Sequence, residues 1–363
     1  MLESLLHYTG TLISNEMMTA FEKNRTPSPA LRRFAWGVLG YFVATILWGA
    51  VVRSTGSGDG CGNHWPLCNG TLLQTSPTMQ TIIEFTHRVT AGLDMIFVLG
   101  LLVWTWRTTA KGHLARWAAG TSVFFTVTEG FLGAMLVKLG LTAQSHSPLR
   151  APFLALHLSN TLLLVAALTL AAHFLGRAQG VRWRDVRLTA PVATLIGMAA
   201  VLVVAVTGSL AALGDTLFPA ASLSQSLAAD LSSQSNWLIR WRWTHPAIAV
   251  LAAVFVIWLL VRAGRRNVPG GGEGNRALSI AIVALLAAQY LLGVMDIWLL
   301  APVWMQVTHL LGADALWVAL VVLAARLTLV PVQQAFQVHA GGASTAATRL
   351  RAAGSKVTGS KFR

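Results

Sequence analysis

The chain has 363 residues, of which 55% are hydrophobic and 11% charged, and its formal net charge is +14. That composition lies outside the soluble range and inside the polytopic membrane class. The positive charge does not indicate nucleic acid, because Lys and Arg gather in the short segments between apolar runs and no basic face interleaved with aromatics occurs.

Residues 1–33 carry neither a cleavable signal pattern nor an apolar run long enough to span, and read as a cytoplasmic or interface-lying leader. Eight apolar stretches of bilayer-spanning length follow, over 34–52, 83–106, 117–137, 151–175, 188–211, 238–261, 277–298 and 303–325. Basic residues cluster before the first (Lys23, Arg25, Arg32, Arg33), between the second and third (Arg107, Lys111, Arg116), after the fourth (Arg177, Arg182, Arg184, Arg187) and after the sixth (Arg262, Arg265, Arg266, Arg276). Those loops are therefore expected in the cytoplasm with both termini, while the long loops 53–82 and 212–237 face outward. Gly270 to Gly274 reads as a flexible connector, and 331–363 as a disordered basic tail.

The two halves resemble each other. Thr86-His87 matches Thr244-His245, Phe131-Leu132-Gly133 matches Leu291-Leu292-Gly293, His157 matches His309, and Thr55-Gly56-Ser57 echoes Thr207-Gly208-Ser209. Each half has an even number of spans, so the repeat is parallel. The expected fold is all-α: two tandem, pseudo-symmetric four-helix bundles, 34–176 and 188–330, joined by an Arg-rich linker at 177–187.

His87, His157, His245 and His309 each open an even-numbered span, which places four imidazoles at one depth toward the outer face. A lone intramembrane histidine is usually an interhelical hydrogen-bonding group; two per repeat at equal depth favour ligand pairs on facing helices. Two imidazoles with no softer ligand nearby suit haem iron, whereas zinc would want a third or fourth ligand. Arg53, Arg88, Arg150, Arg240 and Arg242 lie near the same level against the positive-inside trend, and either pair with haem propionates or snorkel to water. His7, His64, His113, His146, His173 and His339 read as structural or solvated.

Glu84 precedes His87 by one helical turn and shares its face, while the sixth span has no acid near Trp241 and Arg242. One half is thus equipped for chemistry and the other for holding a cofactor; the bland reading of Glu84 is a helix N-terminal acid. Asp94, Glu129 and Asp314 read as polar glue between helices or as proton relays. Cys61 and Cys68, the only cysteines, share an outward loop where a disulfide is the expected state and a thiol redox role the sharper alternative.

The combination of Arg53-Ser54-Thr55-Gly56-Ser57, the Gly60-Cys61-Gly62 to Trp65-Pro66-Leu67-Cys68 loop, Glu84-Phe85-Thr86-His87-Arg88 and the three later histidines resembles the heme A synthase family over the whole eight-span region. The resemblance implies a membrane oxidoreductase that converts the ring D methyl group of heme O to the formyl group of heme A through hydroxylated intermediates, for use by terminal oxidases. It implies that His245 and His309 ligate a resident haem b. His87 and His157 position the substrate haem, with Glu84 as the catalytic carboxylate, Arg88 as a candidate propionate partner and Cys61 with Cys68 as the loop disulfide. The implied setting is the plasma membrane, with haem sites toward the outer side. Implied partners are heme O synthase, an electron-transfer partner, the terminal oxidase and membrane lipid, with no nucleic acid. The rival is a dihaem electron-transfer protein of cytochrome b type, in which both pairs hold permanent haems and Glu84 has no task.

Overall fold

A computed structural model describes residues 27–71, 75–143, 145–177, 186–188, 191–265 and 273–331. Nearly all of the leader, most of the linker with Arg182 and Arg184, the connector glycines 270–272 and the tail beyond 331 lie outside the described residues.

Among the described residues, eight helices are long and apolar enough to cross a membrane. They are α1 (Pro29–Ser54), α2 (Met79–Thr108), α3 (Leu114–Lys138), α4 (Arg150–Leu175), α5 (Pro191–Leu217), α6 (Thr244–Arg265), α7 (Glu273–Trp298) and α8 (Val303–Thr328). Their starts follow capping chemistry. Ser28 accepts a hydrogen bond from the Leu31 amide at 3.2 Å with Pro29 at the first helical position, and Thr78 accepts one from Thr81 at 3.2 Å. His113 caps α3 through Nδ1, which accepts from the Ala115 amide at 3.1 Å, so this buried histidine has a structural task.

Three local features depart from the expected boundaries. Glu273 and Gly274, read as connector, form the first turn of α7. The sixth span is interrupted: a short helix Trp237–Arg240 and a turn precede α6, whose first turn contains Pro246, a residue with no amide hydrogen to donate. The segment 212–237, expected to be an outward loop, is largely helical, comprising the end of α5 and a helix Leu223–Leu231 capped by Ser222. Among the described residues the only strands are a small antiparallel pair, β1 (Val186–Leu188) with β2 (Leu329–Pro331).

In the first half α1 packs on α2 and α4, α2 on α3, and α3 on α4. In the second α5 packs on α6 and α8, and α7 on α8 and α6. The halves meet where α4 contacts α5 and α8, and where α1 contacts α8. Leu31, Leu101, Leu164, Leu168 and Val321 fill the larger core, and Val256, Ile282, Leu286 and Leu320 a second one. Trp317 Nε1 donates to the Leu162 carbonyl at 2.8 Å, pinning α8 to α4 inside the protein. Ile96, Phe124, Phe131, Leu251, Val254 and Leu291 point outward, as a lipid-facing shell requires.

Candidate functional site

Each of the four histidines opening an even-numbered span lies beside a glycine of the preceding span. A Cβ built on Gly49 would stand 3.0 Å from His87 Cε1, and one on Gly208 2.8 Å from His245 Cε1. At Gly293 the distance to His309 Cε1 is 3.4 Å, and at Gly133 to His157 Cε1 it is 3.9 Å. The repeat is therefore visible as four imidazole-on-backbone contacts, of which those at Gly49 and Gly208 leave no room for a side chain. This corrects one detail of the repeat. The counterpart of Gly208 that meets a histidine is Gly49, whereas Gly56 lies past the end of α1 in a left-handed turn with φ 65°.

The His245 and His309 ring centroids lie 6.4 Å apart with perpendicular planes. Two imidazoles on one metal, each nitrogen about 2 Å from it and about 1.2 Å from its own ring centre, would have centroids roughly 6.4 Å apart. This pair therefore fits an iron held between them. His245 Nδ1 lies 3.1 Å from the Val204 carbonyl, which can only accept; the proton therefore sits on Nδ1 and leaves the Nε2 lone pair for a ligand. Among the described residues no group of three or more His, Cys, Asp or Glu could hold a metal ion, so a zinc site of the usual composition has no ligand set there.

In the first half, His157 Nδ1 lies 3.4 Å from Glu129 Oε1 without forming a hydrogen bond, and His87 Nδ1 is likewise buried without one. Glu84 is buried at 3% exposure and belongs to a tight cluster with the cysteine loop. Its Oε2 accepts from the Cys61 amide at 2.8 Å, and its Oε1 accepts from Arg88 Nε at 3.2 Å and Nη2 at 2.5 Å. Arg88 Nη1 donates onward to the carbonyls of His64 at 2.5 Å and Leu67 at 2.7 Å. Cys61 and Cys68 form the expected disulfide, with Cα atoms 4.3 Å apart, and Thr81 Oγ1 donates to the Gly60 carbonyl at 2.7 Å. The loop is thus folded onto the start of α2, and one carboxylate and one guanidinium hold it there.

A family model described as cytochrome oxidase assembly protein matches residues 32–321. The chain belongs to that family. It is 42% identical over 302 residues to a protoheme IX farnesyltransferase of Thermus thermophilus, a match covering 83% of this chain and 49% of the relative. It is 38% identical over 128 residues to a heme A synthase of Halalkalibacterium halodurans, covering 35% of this chain and 40% of that one. A heme A synthase of Geobacillus kaustophilus is 39% identical over 143 residues, 39% of this chain and 42% of the relative. The chain spans at most about half the length of these curated relatives in each match.

In this cytochrome oxidase assembly family member the arginines near the level of the four histidines are mostly engaged by protein. Arg88 uses four of its five N–H groups on Glu84, His64 and Leu67. Arg150 donates to the Ala143 and Ser145 carbonyls at 2.6 and 3.0 Å. Arg53 crosses to the other half, donating to the Ala212 carbonyl and Thr216 hydroxyl at 2.9 Å each and to Gln306 Oε1 at 2.8 Å. Arg242 binds Asp215, Asp230 at 2.7 Å and the Ser226 hydroxyl at 2.9 Å, fastening the helix Leu223–Leu231 to the end of α5. Arg240 is exposed. Sequence reasoning missed these partners because they lie on segments far apart in the chain. It also missed Gly49, which carries no motif of its own. Of the three deeper acids, Glu129 is hydrogen-bonded between helices, accepting from Asn160 at 2.6 Å and from Thr161. Asp94 and Asp314 are buried with oxygens that have no hydrogen-bond partner.

Proposed function

We propose that this protein is a heme A synthase that oxidises the ring D methyl group of heme O to the formyl group of heme A. What supports this is family membership, likeness to proteins named heme A synthase, and an asymmetry between two otherwise matching halves. That asymmetry is the observation that carries the reading. Aligning His87 with His245 puts Arg242 at the position of Glu84, so the buried carboxylate exists in the first half alone.

In this reading His245 and His309 hold a resident haem b, and His87 with His157 receive the substrate haem. The resident haem, when bound, supplies one-electron transfer. The chain contributes position and charge. Three donors hold the Glu84 carboxylate, two from the Arg88 guanidinium and one from the Cys61 amide, so it acts as a fixed negative charge toward positive charge developing on the reacting carbon. Its remaining acceptor position can take a proton. Arg88 has one N–H left for a propionate. The disulfide keeps the Cys61 amide in place and so serves the same carboxylate.

The orientation we propose puts both termini in the cytoplasm and the haem sites near the outer face of the plasma membrane, with electrons leaving to a membrane partner and product passing to a terminal oxidase. The likeness to proteins named protoheme IX farnesyltransferase supports a farnesylating heme O synthase as the supplier of substrate.

The test is Glu84→Ala in the full chain supplied with heme O, with extracted pigments identified by mass. The expected result is haem bound at wild-type stoichiometry with no hydroxylated intermediate and no heme A. Normal heme A from this variant removes Glu84 from the reaction, and wild-type protein that never converts heme O leaves the dihaem carrier as the answer.

A further inference from the structure

Glu129 stands on α3 one turn before Gly133, the glycine beside His157. Its Oε2 accepts from Asn160 Nδ2 at 2.6 Å and its Oε1 from the Thr161 hydroxyl, while Oε1 lies 3.4 Å from His157 Nδ1. Asn160 is itself fixed: its Nδ2 also donates to the Phe125 carbonyl at 2.9 Å, and its Oδ1 accepts from Thr128 at 2.6 Å. The carboxylate is therefore held from both sides next to the imidazole. The Nδ1 separation is one that a small rotation of the ring closes, as happens when a ligand takes the opposite nitrogen.

The other half lacks this device. Gly133 and Gly293 are 160 apart in sequence, which puts Gln289 opposite Glu129; His157 and His309 are 152 apart, which puts Gly312 opposite Asn160. Gln289 Nε2 lies 2.0 Å from where a Cβ on Gly312 would be, and it has no hydrogen-bond partner. A carboxylate with its amide holder is thus replaced by an amide over a bare glycine. Mere glue between helices would be served by either pair. Only the first presents a full negative charge to a histidine Nδ1. His309, the counterpart of His157, has no partner on its Nδ1, and the other imidazole of that half, His245, has only the neutral Val204 carbonyl, at 3.1 Å from its Nδ1.

From this contrast we infer that Glu129 is a positioning residue that fixes the Nδ1 proton of His157, orients its ring and makes its Nε2 a stronger donor to the substrate haem iron. Carboxylate-backed imidazoles are more basic ligands than carbonyl-backed ones and favour the oxidised metal. The two haems of one chain are thereby set at different reduction potentials by two nearby residues, the lower one at the substrate site. The inference rests on His157 as a ligand of that haem.

The experiment uses the full chain loaded with heme O without oxygen, and reads the midpoint potential and low-spin ferric resonance of each haem. Glu129→Gln, isosteric and identical in kind to Gln289, is expected to raise the potential of the substrate-site haem and shift its resonance, leaving the resident haem unmoved. Thr128→Ala removes a member of the network that does not touch His157, and is expected to move neither. A substrate-site haem at wild-type potential in Glu129→Gln overturns the inference. If that variant retains no haem, Glu129→Asp decides: a raised potential supports the inference and an unchanged one overturns it. His157→Ala separates the two layers. An unaltered spectrum there removes His157 as a ligand. An altered spectrum combined with an unmoved Glu129→Gln leaves the ligand in place and removes only Glu129.

Discussion

Gly208→Ala tests the imidazole-on-backbone contacts directly. The added methyl carbon would stand 2.8 Å from His245 Cε1 and 3.1 Å from its Nδ1, against 3.4–4 Å for ordinary contact. The ring must retreat by more than half an ångström, roughly three times the ±0.2 Å that ligand distances tolerate. It would also leave the Val204 carbonyl that fixes its tautomer. Overpacking of this kind costs about 1–3 kcal/mol, which at 1.4 kcal/mol per decade weakens haem binding roughly 5- to 150-fold. Alanine is the better helix former by about 1 kcal/mol, so the helix itself is not weakened and loss of haem cannot be blamed on unfolding. The assay is transfer of resident haem to an excess of a haem-binding acceptor protein, followed by absorbance, with circular dichroism as the control for folding. Gly133→Ala supplies the internal standard, because its methyl group would lie 3.9 Å from His157 Cε1 and should leave binding at the first-half site unchanged. Wild-type retention in Gly208→Ala, or weakening of first-half binding by Gly133→Ala to the same degree, would refute the close-contact argument.

Replacing both Cys61 and Cys68 with Ser should abolish heme A formation while haem stays bound, since the amide that holds Glu84 then sits on an open loop. Ring closure over so few residues is worth about 2.5 kcal/mol in the chain-entropy model, and faster proteolysis within 53–71 is the accompanying readout. Arg53→Ala removes three bonds between the halves and should cost about 1.5–3 kcal/mol, seen as a lower midpoint of thermal unfolding in detergent. Arg53→Lys should recover little of it, because an ammonium cannot reproduce the planar fork. Arg242→Ala strips a partly buried cation from Asp215 and Asp230 and should expose 218–236 to protease, at a cost of about 1–3 kcal/mol after solvent screening. An unchanged digestion pattern would mean that the helix Leu223–Leu231 is held by packing instead.

The spans were legible because a bilayer imposes a length and a composition that few soluble helices share, and all eight expected runs fall within or largely overlap helices. Cap residues such as Ser28 and Thr78 then move the starts outward by several residues, since hydropathy does not register polar first turns. The disulfide was legible because two cysteines seven residues apart share one outward loop. What the cysteine loop does was not. That its backbone grips Glu84 depends on the chain doubling back over more than twenty residues, which no local spacing encodes. The same holds for Arg53 and Arg242, whose partners lie on other spans or on the outer segment. The glycines beside the histidines were half legible: Gly133 and Gly293 came with a repeated tripeptide, whereas Gly49 sits in Trp48-Gly49-Ala50 and looks like ordinary span composition.

Two fasteners join the halves. Trp317 is hydrogen-bonded to Leu162 in the interior, and Arg53 at the end of α1 reaches Ala212, Thr216 and Gln306 at the end of α5 and the start of α8. Opening that seam like a clam would break both sets of bonds and part the packing of α4 against α5 and α8, so rocking of one half against the other works against all of these contacts at once.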